Sequence, residues 1–265
     1  MSFMKMIPKK ASKKLLITGT TSGLGRYLHE NLDSISWNKD TSDKEKALIK
    51  KEGVDIIIHC AFNSSQRVTS DSLYEYIKDN VFLTKELIDI PHKRFIFISS
   101  IDVYPNDNKK HREDEIIDTN SVQGIYALTK LISESLVKNR SSNYLILRCS
   151  SLLGKYSRKN SLIKIIKEES PILTLSPNSS LNYILHADVL KFIQSAIKNN
   201  LQGTYNVASS ENITIFQAAA LINKKIQFGS FTYNAGKVNT KKIIKISPVF
   251  KKTSKEVITE FLNVI

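Results

Sequence analysis

The chain has 265 residues, 41% of them hydrophobic and 24% charged, with 39 lysines and arginines against 25 aspartates and glutamates, a formal net charge of +14. That length can bury a real core, and that balance reads as a soluble globular protein rather than a disordered, fibrous or disulfide-stapled one. No apolar run reaches the ~20 residues a membrane-spanning helix needs. The lysines fall in scattered pairs, at 9–10, 13–14, 50–51, 109–110, 224–225, 241–242 and 251–252. They form no single basic helix or arm, and no aromatic-rich RNA motif accompanies them. The charge is therefore read as lysine drift, with neither nucleic acid nor a membrane expected as partner.

The basic N-terminal stretch "MSFMKMIPKKASKK" lacks an apolar signal core and a small-residue cleavage site, and is expected to be a short tail. "KLLIT" reads as a strand and "LGRYLHENL" as a helix. "ISW" is a short strand, and "SDKEKALIKKEG" a helix capped by Ser42 or Asp43 and stopped by Gly53. "VDIIIHCA" is a buried strand, and "SDSLYEYIKDNVFLTKELID" one long helix. "RFIFISS" is a strand, "VQGIYALTKLISESLVKN" a helix and "NYLILRCS" a strand. Continuous apolar strands alternating with helices predict a parallel sheet covered on both faces and right-handed crossovers.

After Ser151 the pattern loosens. "SLIKIIKEE" is helical, "NYILHADVLKFIQSAIKNN" is a strand running into a helix, and "GTYNVA" is a strand. "TIFQAAALI" is a helix capped by Thr214, and "SKEVITEFLNVI" a closing helix. The fold class expected is α/β: a Rossmann-type doubly wound parallel sheet with a small C-terminal substrate-binding lobe. Residues 13–150 would form the dinucleotide-binding domain. Residues 151–265 would form the lobe, with 183–207 returning to the sheet. Cys60 and Cys149 lie in apolar strand-like runs and read as buried thiols of a reducing, cytoplasmic compartment. No Cys/His cluster has metal-ligand spacing, so no metal is expected.

Three glycines, Gly19, Gly23 and Gly25, separate the first strand from the first helix. Such a turn aims backbone N–H groups and the helix dipole at a phosphate. Gly19 would allow the tight turn, Gly23 the approach of a diphosphate, and Gly25 close helix–strand packing. The spacing is G-x-x-x-G-x-G, without the lysine of an NTP-hydrolysing loop. Tyr126 and Lys130, four apart on one helix, follow the strand ending in Ser99 and Ser100. Tyr74 and Lys78 share the same spacing but follow no hydroxyl-bearing strand end.

With these residues in view, the chain resembles the short-chain dehydrogenase/reductases, in particular their extended, sugar-nucleotide-modifying branch of NAD-dependent epimerases and dehydratases. "VDIIIHCAF" resembles the segment lining the cofactor, and "NVFLTKELI" the Asn-bearing helix after it. "FIFISSIDVYP" resembles "SSxxVYG", and "YALTK" resembles Tyr-x-x-x-Lys. "LILRCSSLLG" resembles "LRxxNxYG", and "YILHADVLKFI" resembles "fIHVDDvakai". "GTYNVASSENITIFQAAALI" resembles the later strand–helix pair. The matches run in order along nearly the whole chain. The compressed segment before the third strand and "NKDTSDKEKALIKK" resemble dTDP-4-dehydrorhamnose-reductase-like members, which would put Asp40 or Asp43 near the adenine.

The resemblance implies a Ser100, Tyr126, Lys130 catalytic set, with Ser99 as the alternative serine. A free tyrosine, with a pKa of about 10, is a poor base at neutral pH, and a lysine ammonium beside it would lower that value. Implied cofactor contacts are Gly19, Thr21, Ser22, Gly23, Leu24, Gly25, Asn38, Lys39, Cys60, Ala61, Phe62, Asn80 and Ser99, together with Tyr126 and Lys130. Asn38 and Lys39 tilt the choice from NAD toward NADP, although Asp40 could serve a ribose. Asp102 and Ser151 are the implied substrate contacts. Ile101 stands where dehydratases carry their first carboxylate, so dehydration is disfavoured. Ser151 and Cys149 depart from the family's Asn and Pro. Arg148, in a buried strand, is expected to pair with an acid. Asp188 is expected at a helix start, and His186 in a structural role. The implied function is an NAD(P)-dependent sugar-nucleotide epimerase or 4-ketoreductase with a nucleotide-sugar substrate, working as a homodimer. The alternative is a non-catalytic NAD(P)-sensing module.

Overall fold

A computed structural model of the chain describes residues 13–65, 67–107 and 109–264. The basic N-terminal stretch and its lysine pair at 9–10 lie outside the described residues, apart from Lys13 and Lys14.

Six strands form one parallel sheet: β1 (Leu15–Thr18), β2 (Ile35–Trp37), β3 (Val54–His59), β4 (His92–Ser100), β5 (Tyr144–Cys149) and β6 (Gly203–Val207). Their spatial order is β6-β5-β4-β3-β1-β2. The chain builds outward from β1 to β2, then crosses back to place β3 on the other side. The order therefore reverses at β1, and crevices at such switch points bind ligands beyond the carboxyl ends of the strands. The register brings Thr18 beside His59, and Ser100 beside Cys149.

The described residues include ten α-helices: α1 (Gly23–Asn31), α2 (Asp43–Glu52), α3 (Ser70–Ile77), α4 (Leu83–Ile88), α5 (Gly124–Arg140), α6 (Ser161–Lys167), α7 (His186–Lys198), α8 (Ile215–Ile222), α9 (Lys241–Ile246) and α10 (Ser254–Leu262). Alternate strand residues go to opposite faces. Ile17, Ile58, Ile96 and Leu147 pack with Leu28 of α1 and Phe192 of α7. Leu16, Ile57, Phe97 and Ile146 pack with Ile49 of α2, Leu87 of α4 and Val137 of α5. Both faces are thus buried, as continuous apolar strands require.

The local signals explain the boundaries. Ser42 and Glu45 form a capping box at α2, and Gly53, at φ +72°, ends that helix. Thr214 and Gln217 do the same at the start of α8. The expected single helix over 70–89 is instead α3 and α4 joined by one π turn, Lys78–Phe82. Tertiary hydrogen bonds hold this wider turn. The Asn80 side chain accepts from the N–H of Asn63 at 2.7 Å and donates to its carbonyl at 3.0 Å. The Thr84 hydroxyl donates to the Asn80 carbonyl at 2.6 Å.

Beyond β5 a second core forms from Leu162 and Ile165 of α6, Ile215 and Ala218 of α8, and Ile258 and Phe261 of α10. A short parallel pair, Ser151–Leu153 with Tyr183–Leu185, joins it to the sheet, because Tyr183–Leu185 runs directly into α7.

Candidate active site

The glycine turn is shaped by close backbone approach. Gly19 has φ +71°, and a Cβ there would fall 2.8 Å from the Ala61 nitrogen. A Cβ on Gly25 would fall 2.4 Å from the Gly19 carbonyl oxygen. α1 begins at Gly23 with no side-chain cap from Ser22, so its first N–H groups stay available to an anion.

A buried relay fixes the neighbouring strand end. The Thr18 hydroxyl accepts from the N–H groups of Cys60 at 3.1 Å and Ala61 at 2.9 Å. Its own proton must then go to His59 Nδ1, 2.8 Å away. His59 Nε2 therefore carries the ring proton and donates to Thr84 Oγ1 at 3.0 Å. Burial pulls the His59 pKa down to about 3, so the ring stays neutral and the relay stays in register. The 60–62 segment is thereby pinned beside the glycine turn.

Two cavities open along this edge. The first, of 1110 Å³, runs along the ends of β1 and β2 and takes Gly19, Thr21, Ser22, Asn38, Lys39, Asp40, Ala61 and Phe62 in its wall. The second, of 580 Å³, lies under the C-terminal lobe. It holds Gly23, Leu24, Gly25, Cys60, Ser99, Ser100, Asp102, Tyr126, Lys130 and Ser151. Asn80 lines neither; its side chain is spent bracing Asn63. Asp43 is the first residue of α2 and is likewise outside both.

Ser99 is buried and donates its hydroxyl to Glu134 Oε1 at 2.7 Å. The Ser100 hydroxyl accepts a 3.2 Å bond from the Asp102 N–H and faces the cavity beside the Tyr126 phenol. Burial, and next the Asp102 carboxylate, hold the Tyr126 phenol above its ordinary pKa, while the Ser100 hydroxyl acts the other way. Lys130 does not perform the expected lowering of Tyr126. Its ammonium donates to the Ile98 carbonyl at 2.6 Å and sits 3.5 Å from the centre of the Phe62 ring, 6.0 Å from that of Tyr126. Burial brings its own pKa down to about 7.

Arg148 meets the acid expected for it. Its guanidinium holds Glu134 through Nε at 2.9 Å and Nη2 at 2.7 Å, and donates to the Tyr104 hydroxyl at 2.7 Å. Asp188 sits in the first turn of α7 and pairs with Lys252 at 3.0 Å. His186 is buried, packs on Tyr27 at a centroid distance of 5.5 Å and reaches the second cavity. Both thiols are free; burial raises that of Cys60 to about 12 and that of Cys149 further. Tyr74 is exposed and Lys78 pairs with Glu75.

Four features escape the sequence. Thr18 and His59 read there as ordinary strand residues. Tyr233, from the loop after α8, donates to Asp102 Oδ1 at 2.8 Å across the second cavity. Trp37 reads there only as the end of a short strand, yet its edge joins the first cavity with Lys46 and Lys50 at 5.8 and 6.0 Å from its ring. Arg158 lines both cavities. Among the described residues there is no group of metal-binding side chains, and no helix long and apolar enough to cross a membrane.

The sequence matches the profile of the NAD dependent epimerase/dehydratase family over residues 15–208. No curated protein matches it. The fold is similar to dTDP-4-dehydrorhamnose reductase from Bacillus anthracis, solved with NADP. The two are 19% identical with a TM-score of 0.78, over 96% of this chain and 99% of that one. MoeE5, solved with UDP-glucose and NAD, is 15% identical, with a TM-score of 0.78 over 94% of this chain and 97% of its own. UDP-glucuronic acid 4-epimerase from Bacillus cereus, solved with UDP-glucuronic acid and NAD, is 18% identical. Its TM-score is 0.75 over 94% of this chain and 98% of that one. At such identities these likenesses speak for the fold.

Proposed function

The chain belongs to the NAD dependent epimerase/dehydratase family, and from that membership we propose an NADP(H)-dependent enzyme that reduces a ketone on the sugar ring of a nucleotide sugar. The observation carrying this reading is one continuous edge. An uncapped helix start and a Cβ-free turn, fit for a diphosphate, lead from the 1110 Å³ cavity to Ser100, Tyr126 and Lys130 in the 580 Å³ cavity. When bound, the nicotinamide supplies the hydride. Ser100 donates a hydrogen bond to the sugar oxygen and orients it. Tyr126, held protonated by burial and by Asp102, delivers the proton to that oxygen. Lys130, whose pKa burial brings down to about 7, adds a cation to the same cavity.

A protonated Tyr126 favours reduction over an epimerase cycle, which needs the same phenol first as a base. Dehydration is unsupported, because Ile101 is buried where the first carboxylate would stand. Lys39, with its side chain 88% exposed, and Lys46 beside Trp37 offer cations to a 2′-phosphate and favour NADP(H). We also propose a homodimer contact on the outer side of α5, where Leu128 and Ile132, one helical turn apart, stay exposed. Sedimentation of Ile132→Glu as a monomer, beside a dimeric wild type, is the expected result there.

The functional test is fluorescence titration with NADPH and NADH, followed by a panel of nucleotide 4-keto sugars. Saturable NADPH binding lost in Gly23→Asp, with NADPH oxidation lost in Tyr126→Phe, is expected. Binding without turnover of any keto sugar would return the reading to an epimerase or a dinucleotide sensor.

A further inference from the structure

Arg158 stands where the two cavities meet. Its Nε lies 3.4 Å from the position a Cβ on Gly23 would take, so the guanidinium sits directly above the glycine turn. Nη1 donates to the Phe62 carbonyl at 3.4 Å and to the Ser64 hydroxyl at 3.2 Å, both neutral acceptors at long range. Beneath it α1 begins without a side-chain cap.

The segment bearing Arg158 is a strap tied down at two points. Gly154 and Ser157 close a tight turn: the Gly154 N–H donates to Ser157 Oγ at 2.7 Å, and the Ser157 N–H returns to the Gly154 carbonyl at 2.9 Å. The turn rests on His186, whose Nδ1 would lie 2.4 Å from a Cβ at position 154. The Tyr156 hydroxyl then donates to Glu30 of α1 at 2.5 Å, and the Arg26 guanidinium lies 4.1 Å from the centre of the Tyr156 ring. Lys155 adds a looser 3.7 Å pair with Glu30. The helix whose N-terminus faces the cleft therefore also holds the strap that carries the arginine over it.

We infer that Arg158 is a diphosphate-binding residue, and that the diphosphate it takes is the dinucleotide's rather than the nucleotide sugar's. The inference rests on the NADP(H) reading above. A diphosphate on the glycine turn receives backbone N–H groups from below; the Arg158 side chain, which packs 3.4–4.0 Å from the Gly23 Cβ position, swings outward to admit it and then faces it from above. Arginine presents planar paired donors that match phosphate oxygens. Charge-assisted bonds to phosphate are stronger than those to a carbonyl and a hydroxyl, so Arg158 exchanges the two neutral acceptors for the ligand. Among the described residues no other cation lines both cavities: the lysines of the first line it alone, and Lys130 and Lys159 line only the second, with Lys130 turned onto Ile98.

The test is NADPH affinity by fluorescence, with no sugar present, in wild type, Arg158→Ala, Arg158→Lys and Tyr156→Phe. Arg158→Ala should weaken NADPH by about tenfold or more, the scale of one lost charge-assisted bond. Arg158→Lys should recover part of that loss, and Tyr156→Phe should show a smaller one. The thermal midpoint of Arg158→Ala should match wild type, since the side chain is exposed. The KM for a nucleotide 4-keto sugar at saturating NADPH should hold. Unchanged NADPH affinity in Arg158→Ala overturns the inference. A KM change alone overturns it too, and hands Arg158 to the substrate's diphosphate. Failure of wild type to bind either dinucleotide brings down the functional reading and this inference with it.

Discussion

Ser99 and Ser100 end the same strand, and strand alternation sends their hydroxyls to opposite faces. Ser99 serves the buried Glu134, whereas Ser100 faces the cavity. Ser99→Ala should therefore cost about 1.5–3 kcal/mol of stability, the scale of a bond to a charged partner, and leave kcat within a few-fold. Ser100→Ala should do the reverse: an unchanged thermal midpoint and a kcat lower by about 10²-fold. Melts and turnover on the same two proteins decide it; loss of turnover in Ser99→Ala alone would exchange the roles. Lys130 carries a second prediction, in pH. The folded chain gives up this proton near 7 and the unfolded chain near lysine's ordinary 10.5. Between those values the unfolded state binds more protons, so the buried charge penalises folding in full below about 7 and less as pH rises. Lys130→Met should thus gain thermal midpoint over wild type at pH 6.5 and lose that advantage by pH 10, while turnover is abolished. A gain independent of pH would mean that the ammonium is not buried as a charge. Tyr126 and Lys130 were legible as a spaced pair, but the direction of their shifts was not. Spacing says that two groups share a helix face; it does not say that one is pressed against Phe62 and a carbonyl.

At the scale of elements, α5 is the piece that must stay in place, since it carries both Tyr126 and Lys130. It is bolted to the sheet by Glu134, whose carboxylate takes two bonds from Arg148 of β5 and one from Ser99 of β4. Glu134→Ala leaves the guanidinium buried and unpaired, a loss of about 3–5 kcal/mol. At roughly 2–4 °C per kcal/mol for a chain of this size or a little smaller, the midpoint should fall by about 10 °C. Glu134→Leu with Arg148→Met should recover much of that, because both charges leave together. A double variant as unstable as the single one would show that hydrogen bonding to Tyr104 and Ser99, not the ion pair, fastens α5. Arg148 announced itself in the sequence as a charge within a buried run. Its partner did not, because many acids in the chain could reach a strand end and only the docked helix selects one. The π turn at 78–82 was hidden for a similar reason. The helical periodicity runs through it unbroken, and the bonds to Asn63 that hold it come from another part of the fold.

At the scale of the whole molecule, the alternation of apolar strands and amphipathic helices was enough to read the parallel sheet. The wall that closes the site was not readable. Tyr233 comes from a polar stretch after α8 with no periodicity, and reaches Asp102 at the end of β4 only when the lobe folds over the sheet. That contact sets the field in which Tyr126 works, since the Asp102 carboxylate is, after burial, the main influence holding the phenol protonated. On the proposed function the consequence is measurable in the alcohol-oxidising direction, where Tyr126 would first have to lose its proton. The rate there should rise with pH as phenolate forms. Asp102→Asn removes the negative charge and keeps the shape, so phenolate forms more easily and the rise should begin at lower pH. Tyr233→Phe keeps the carboxylate and removes the phenol that partly neutralises it, so its rise should begin at the same pH as wild type or higher. Opposite or unequal displacement of the two profiles identifies Asp102 as an electrostatic brake on Tyr126 that the C-terminal lobe adjusts. Equal displacement in the same direction would mean that both changes act by loosening the lobe, and that the charge itself has no part in setting the phenol's protonation.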